Sequence, residues 1–269
     1  MPRLQLPDQE CALDYADEGS GQAVVLLHAF ATDREMWAPQ VQALSGRYRL
    51  IVPSLRGFGG SSPTDEAAVS MERYADDVLA LMNHLGLARV VVGGISLGGY
   101  VALALALRNP ERLAGLVLAN TRAVADDPDY AWQREALVAD TLLGGSLAVV
   151  KSYGDRLLGA HCPTTTREWL REVMLRQRPG ALISCTRGMM ARPDRSPALA
   201  SIDVPTLVVH GGEDQLIAPA ASLAMHAAIR GSRYVELAGA GHLSSIDSPD
   251  AFNQALSTFL DTLAAGSTG

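Results

Sequence analysis

The sequence predicts an α/β fold, a mostly parallel central sheet with helices on both faces and a helical insertion capping it. Three observations carry this. Short apolar runs rich in β-branched residues alternate with segments of helical spacing, the pattern of strands buried on both faces and joined by crossover helices. Glycines cluster where those runs end. The rhythm stops near Asp126, gives way to helix-like stretches, and resumes at Thr206.

Taken in order, Ala23–Leu27 (AVVLL) reads as a buried strand, Arg34–Leu44 as a helix and Arg49–Pro53 (RLIVP) as the next strand. Met71–Leu85 carries apolar residues at helical spacing, and Gly86 ends it. Arg89–Ile95 is another strand. Leu97–Leu107 is apolar nearly all round, the mark of a deeply buried helix. Leu113–Leu118 is a further strand. The insertion holds four helical candidates, Tyr130–Leu143, Leu147–Leu158, Thr166–Arg178 and Ala181–Ala191, punctuated by Pro128, Pro163, Pro179 and Pro193. Strand Thr206–His210, helix Pro219–Ile229, strand Arg233–Leu237 and helix Pro249–Leu263 complete the chain. The expected organisation is a core of residues 1–125 and 197–269 with a helical cap over residues 126–196.

Composition bounds the function. With 269 residues, 48% of them hydrophobic, the chain can bury a sizeable core. A net charge of −7 without a basic stripe argues against nucleic acid. Cys11, Cys162 and Cys185 are too few and too widely spaced for a disulfide framework or a zinc site. The first residues lack the apolar stretch of a signal peptide, and no apolar run is long enough to span a bilayer. A soluble cytoplasmic protein, monomeric or homodimeric, acting on a small molecule without metal or cofactor, is the expectation.

Gly94-Ile95-Ser96-Leu97-Gly98 is a G-x-S-x-G motif between a buried strand and an apolar helix, the strand–turn–helix setting of a nucleophile elbow. A serine hydroxyl needs a base to take its proton. Of six histidines, His242 lies in a loop directly after strand Arg233–Leu237, on the sheet edge that carries the serine. His28 and His210 also end strands, where structural hydrogen bonding is their expected role. Asp214, following strand Thr206–His210, can fix the imidazole tautomer, and Glu213 is the competing carboxylate. The chain order Ser96, Asp214, His242 is the one expected for this kind of site.

With these residues in place, the chain resembles the α/β-hydrolase family over most of both α/β pieces. Leu27-His28-Ala29-Phe30 looks like that family's oxyanion loop, and Pro53–Ser61 (PSLRGFGGS) like its arginine–glycine loop. The resemblance implies an oxyanion hole from the amides of Phe30 and Leu97, and is strongest to small esterases and 3-oxoadipate enol-lactonases. Two departures stand out: Ala29 where many relatives have glycine, which predicts a differently shaped oxyanion loop, and Ser54 where many carry aspartate. The implied activity is cleavage of carboxylic esters or lactones by a Ser–His–Asp triad through an acyl-enzyme. A cofactor-free haloperoxidase or perhydrolase, or a ligand-binding receptor on the same fold, are the alternatives. Protonation of an imidazole base in the ordinary histidine range, about 6–7, is expected to end activity on the acid side.

The cap is expected to shape the pocket. Phe30, Trp132 and Met189 are the chosen substrate contacts, drawn from a wider set with Tyr130, Trp169, Met174, Cys185 and Met190. Arg178 and Arg187 are expected to be solvated surface residues.

Overall fold

The computed structural model describes residues 2–6 and 11–266; residues 1, 7–10 and 267–269, which the sequence reading places in the core, lie outside the described residues. Among the described residues eight strands form one sheet: β1 (Arg3–Gln5), β2 (Ala12–Glu18), β3 (Ala23–Leu27), β4 (Arg49–Pro53), β5 (Val90–Ile95), β6 (Leu113–Ala119), β7 (Thr206–Gly211) and β8 (Arg233–Leu237), in the order β1-β2-β4-β3-β5-β6-β7-β8. From β4 to β8 all neighbours are parallel; β1 and β2 join antiparallel at one edge. Those two strands are absent from the sequence-based expectation. Strand β2 (ALDYADE) carries three acids and lacks a continuous apolar run, so its pairing, not its composition, makes it a strand.

The helices are α1 (Ala38–Leu44), α2 (Met71–His84), α3 (Leu97–Arg108), α4 (Pro128–Gly144), α5 (Ser146–Tyr153), α6 (Thr164–Leu175), α7 (Pro179–Met190), α8 (Pro219–Ala228), α9 (Ser244–Asp247) and α10 (Pro249–Gly266). Every residue of α3 from Leu97 to Ala106 is buried, as its unbroken apolar sequence requires. The alternation of the sheet places α3 and α10 on opposite faces: a side chain at Gly94 would run into α3, whereas one at Gly115, paired in register with Val91, would meet Phe259 and Leu263 of α10. The predicted helix Arg34–Leu44 is in fact a 3₁₀ turn over Arg34–Trp37, capped by the Asp33 carboxylate on the Glu35 amide, followed by α1.

Helices α4–α7 occupy the chain between β6 and β7, and two kinds of contact seat them. Gly188 of α7 lies so close to Val69 that an added Cβ would stand 1.7 Å from the Val69 carbonyl oxygen. Below α5, the Leu157 carbonyl accepts from the Leu243 amide (2.9 Å), and the Gly159 and Gly241 amides both donate to the Asp247 carboxylate. Glu213, the competing carboxylate of the sequence, accepts the Ala160 amide at 2.7 Å. Arg178 is likewise no free surface cation; its guanidinium donates to the carbonyls of Gly57, Gly59 and Ser61 and ties α7 to the loop after β4. Arg187 is exposed.

Candidate active site

Strands β3, β5, β6, β7 and β8 end at one edge of the sheet, and each is followed by a residue of the site, Phe30, Ser96, Asn120, Asp214 and His242 respectively. This is where open α/β sheets collect their ligands.

Ser96 has φ 55° and ψ −112°, left-handed backbone that a residue with a Cβ adopts only when its surroundings hold it. The holding groups are visible. The Ser96 amide donates to the Ala119 carbonyl (3.0 Å), and the Thr121 hydroxyl donates to the Ser96 carbonyl (2.9 Å). The turn also needs its glycines. An added Cβ would lie 2.2 Å from the Gly98 carbonyl carbon at Gly94, and 2.1 Å from the Leu27 carbonyl oxygen at Gly98. The turn stands at the N-terminus of α3, where amides without helical partners and the helix dipole favour negative charge.

His242 is buried, and its Nδ1 lies 2.9 and 3.0 Å from the two carboxylate oxygens of Asp214. Asp214 also accepts the amides of Leu216 (2.8 Å) and Ile217 (3.0 Å) and the side-chain amide of Asn120 (2.9 Å). Burial works against the Asp214 charge, but the facing imidazole, the Asn120 amide and the Ile217 N–H outweigh it and hold the carboxyl below its ordinary value. An ionised Asp214 accepts from Nδ1–H, which leaves Nε2 as the basic nitrogen.

Asn120 escaped the sequence reading. It has φ 45°, follows β6 directly, donates to Asp214 and accepts the Ser244 hydroxyl at 2.6 Å. Its signal was the asparagine itself, since asparagine tolerates the left-handed region and here sits at a strand end.

His28 is fully buried. Nδ1 is 2.9 Å from the Ala29 carbonyl and Nε2 is 2.9 Å from the Leu55 amide, so the ring is neutral, donates through Nδ1 and joins the loops after β3 and β4; burial pushes its pKa down. His210 donates or accepts at Nδ1 with Ser222 (3.1 Å). Both make hydrogen bonds at strand ends, and neither lines the cavity that holds Ser96. In the loop after β3 the residue with positive φ is Ala31 (62°), and not Ala29, so the alanine at 29 imposes no left-handed strain.

One cavity of about 630 Å³, its mouth to solvent included, brings together Ser96, His242 and Phe30 with Tyr130, Met174 and Met189 of the helices above. Leu97, the first residue of α3, is buried and does not line the cavity. Trp132 does not reach the cavity: 73% of it is exposed. The reason is the phase of α4. Its buried residues Arg134, Leu137, Val138 and Thr141 share a face with Tyr130, and position 132 lies about 200° round the helix from position 130. Cys185 is buried away from the cavity, and Trp169 packs against the core. The sequence reading missed Tyr100, Tyr153, Arg122 and Arg134 as wall residues.

With this geometry, the chain belongs to the alpha/beta hydrolase fold family, whose pattern it matches over residues 22–172 and 191–249. It is 28% identical over 268 residues to 3-oxoadipate enol-lactonase 2 of Acinetobacter baylyi, covering 95% of this chain and 97% of that one. Among solved structures it is similar to a thermophilic esterase from Thermogutta terrifontis (34% identity, TM-score 0.93, 98% and 99% of the two chains). It is also similar to the enol-lactonase from Burkholderia xenovorans LB400 (31%, TM-score 0.89, 97% and 100%). No helix among the described residues is long and apolar enough to cross a membrane.

Proposed function

We propose that the protein hydrolyses carboxylic esters or lactones through an acyl-enzyme on Ser96. The observation that carries this reading is the Asp214–His242 pair, locked at 2.9 Å and opening on the same cavity as a serine held in a strained elbow. In the proposed reaction the Ser96 Oγ attacks the ester carbonyl while His242 Nε2 takes its proton. The amides of Phe30 and Leu97 receive the oxyanion; losing one such donor commonly costs roughly 2.7–4 kcal/mol. The imidazolium, paired with Asp214, returns the proton to the leaving alcohol, and water repeats the sequence on the acyl-enzyme. The esterase and enol-lactonase relatives support this class of reaction.

The test is active-site labelling with a fluorophosphonate, together with a panel of p-nitrophenyl esters and lactones. Stoichiometric modification at Ser96 with turnover is expected. A folded protein that stays unlabelled behaves as a receptor, and faster acyl transfer to peroxide than to water identifies a perhydrolase; either result displaces the proposal.

A further inference from the structure

One wall of the cavity carries a charge imbalance. Three guanidinium groups converge on one carboxylate: Arg122 (2.5 Å), Arg134 (2.7 Å) and Arg192 (2.9 Å) all bind Asp126. All four side chains are at least nine-tenths buried. Buried charges are normally paired, because desolvating an unmatched ion is expensive. Here two formal positive charges remain, and among the described residues lining the cavity there is no aspartate or glutamate.

The three arginines are not equally occupied. Arg192 donates to the carbonyls of Met189 and Val124 as well as to Asp126, and its guanidinium lies over the Tyr100 ring at 4.2 Å. Arg122 lies over the Tyr130 ring at 4.0 Å, and its buried Nε has no hydrogen-bond partner. Arg134 binds Asp126 through Nε alone, with Nη1 on the Met189 sulfur at 3.6 Å, a weak acceptor. Its Nη2 has no partner among the described residues, and the side chain lines the cavity shared by Ser96 and His242. Donors are left over on all three arginines, but the Nε atoms of Arg122 and Arg192 are fully buried, whereas the unpartnered Nη2 of Arg134 is not among the fully buried atoms and belongs to a side chain in the cavity wall, beside Arg122 and with its field reinforced by both other cations.

We infer that Arg134, reinforced by Arg122 and Arg192, seats a carboxylate of the substrate, so that the ester or lactone cleaved at Ser96 carries a free acid group. This rests on the hydrolase reading above and narrows its substrate class. A planar fork of N–H donors suits a carboxylate, and the burial of the arginines strengthens the contact.

The experiment compares kcat/KM, by pH-stat titration, for the monomethyl esters of succinic, glutaric and adipic acid with methyl butanoate, pentanoate and hexanoate, their neutral counterparts of matched length. In wild type at least one half-ester is expected to lead its counterpart by roughly 10- to 100-fold. Arg134→Met is expected to bring that ratio near one and Arg134→Lys, which keeps the charge but loses the fork, to an intermediate value; the lysine variant carries the test if the methionine variant does not fold. A wild-type ratio at or below one across the series, or a ratio unmoved in both variants, overturns the seat. Turnover of neither series by folded wild type overturns the hydrolase reading instead. Calorimetric titration with glutarate then decides the seat alone: binding weakened in Arg134→Lys supports it, and no binding ends it.

Discussion

The C-terminal edge of the sheet and the helices above it solve different problems. At the edge, position follows from topology. A strand must end, the next turn must project from that end, and five parallel strands deliver five side chains to one line. In the insertion, position follows from helical phase, where one residue of offset turns a side chain by 100°. Chemistry placed on strand ends is therefore fixed by the fold, whereas pocket shape placed on helices is fixed only by which stripe packs down.

The sharpest way to break this comparison is at the edge. Ser96→Ala is expected to lower kcat/KM at least about 10⁴-fold while leaving the fold intact; steady-state kinetics with a circular-dichroism melt reads both. Ser96→Gly, equally inactive, is expected to raise stability by about 1 kcal/mol by relieving the left-handed backbone at φ 55°. A melt no higher than that of Ser96→Ala would show that the elbow stores no strain.

Next in size is Asn120→Gly. Glycine accepts the φ of 45°, so the variant removes the amide on Asp214 without straining the chain. A fall in kcat of roughly 10- to 100-fold with little change in KM is expected, since a hydrogen bond to a charged group is lost. An unchanged kcat would reduce Asn120 to a packing residue.

On the other side of the comparison, Gly188→Ala should cost about 2–3 kcal/mol of stability, because α7 must withdraw from the Val69 carbonyl that its Cβ would strike. Denaturant unfolding measures this directly. A loss below about 0.5 kcal/mol would mean that the insertion is loosely seated.

The legibility of the sequence follows the same division. The placement of Ser96 and His242 at the sheet edge was legible because the glycine-rich turn and the strand–loop context leave few positions for them. Motif spacing favours Asp214 over Glu213, and in the structure the glutamate makes a different contact, holding Ala160. Strands β1 and β2 stayed invisible because an edge pair needs no continuous apolar run. Trp132 is expected at the pocket, yet burial in α4 follows the stripe through Tyr130, Arg134 and Leu137. Reading that stripe required accepting arginine as an inward residue, which a search for apolar faces does not do.

pH separates the two regions with a smaller effect. Burial opposes the charge of Asp126, but Arg192, Arg134 and Arg122 prevail and depress its pKa, as the imidazole does for Asp214. A depressed carboxyl stabilises the fold above its unfolded pKa, and that contribution fades as pH falls through the folded value. Melting temperature should therefore drop between pH 5 and pH 3 less steeply in Asp126→Asn than in wild type. Parallel curves would remove Asp126 from the acid response.

The smallest effect belongs to Trp132→Ala. With 73% of the residue exposed, stability should change within about 0.5 kcal/mol and KM not at all. A raised KM would return this face of α4 to the pocket.

The hydrogen bonds joining Leu157, Gly159 and Ala160 to Leu243, Asp247 and Glu213 have a kinetic corollary. They fasten the insertion to the segment that carries the imidazole, so swinging the helices upward at this corner would drag the base out of alignment. Backbone amides and carboxylates on both sides thus make this corner a fixed point of the insertion beside the His242 loop.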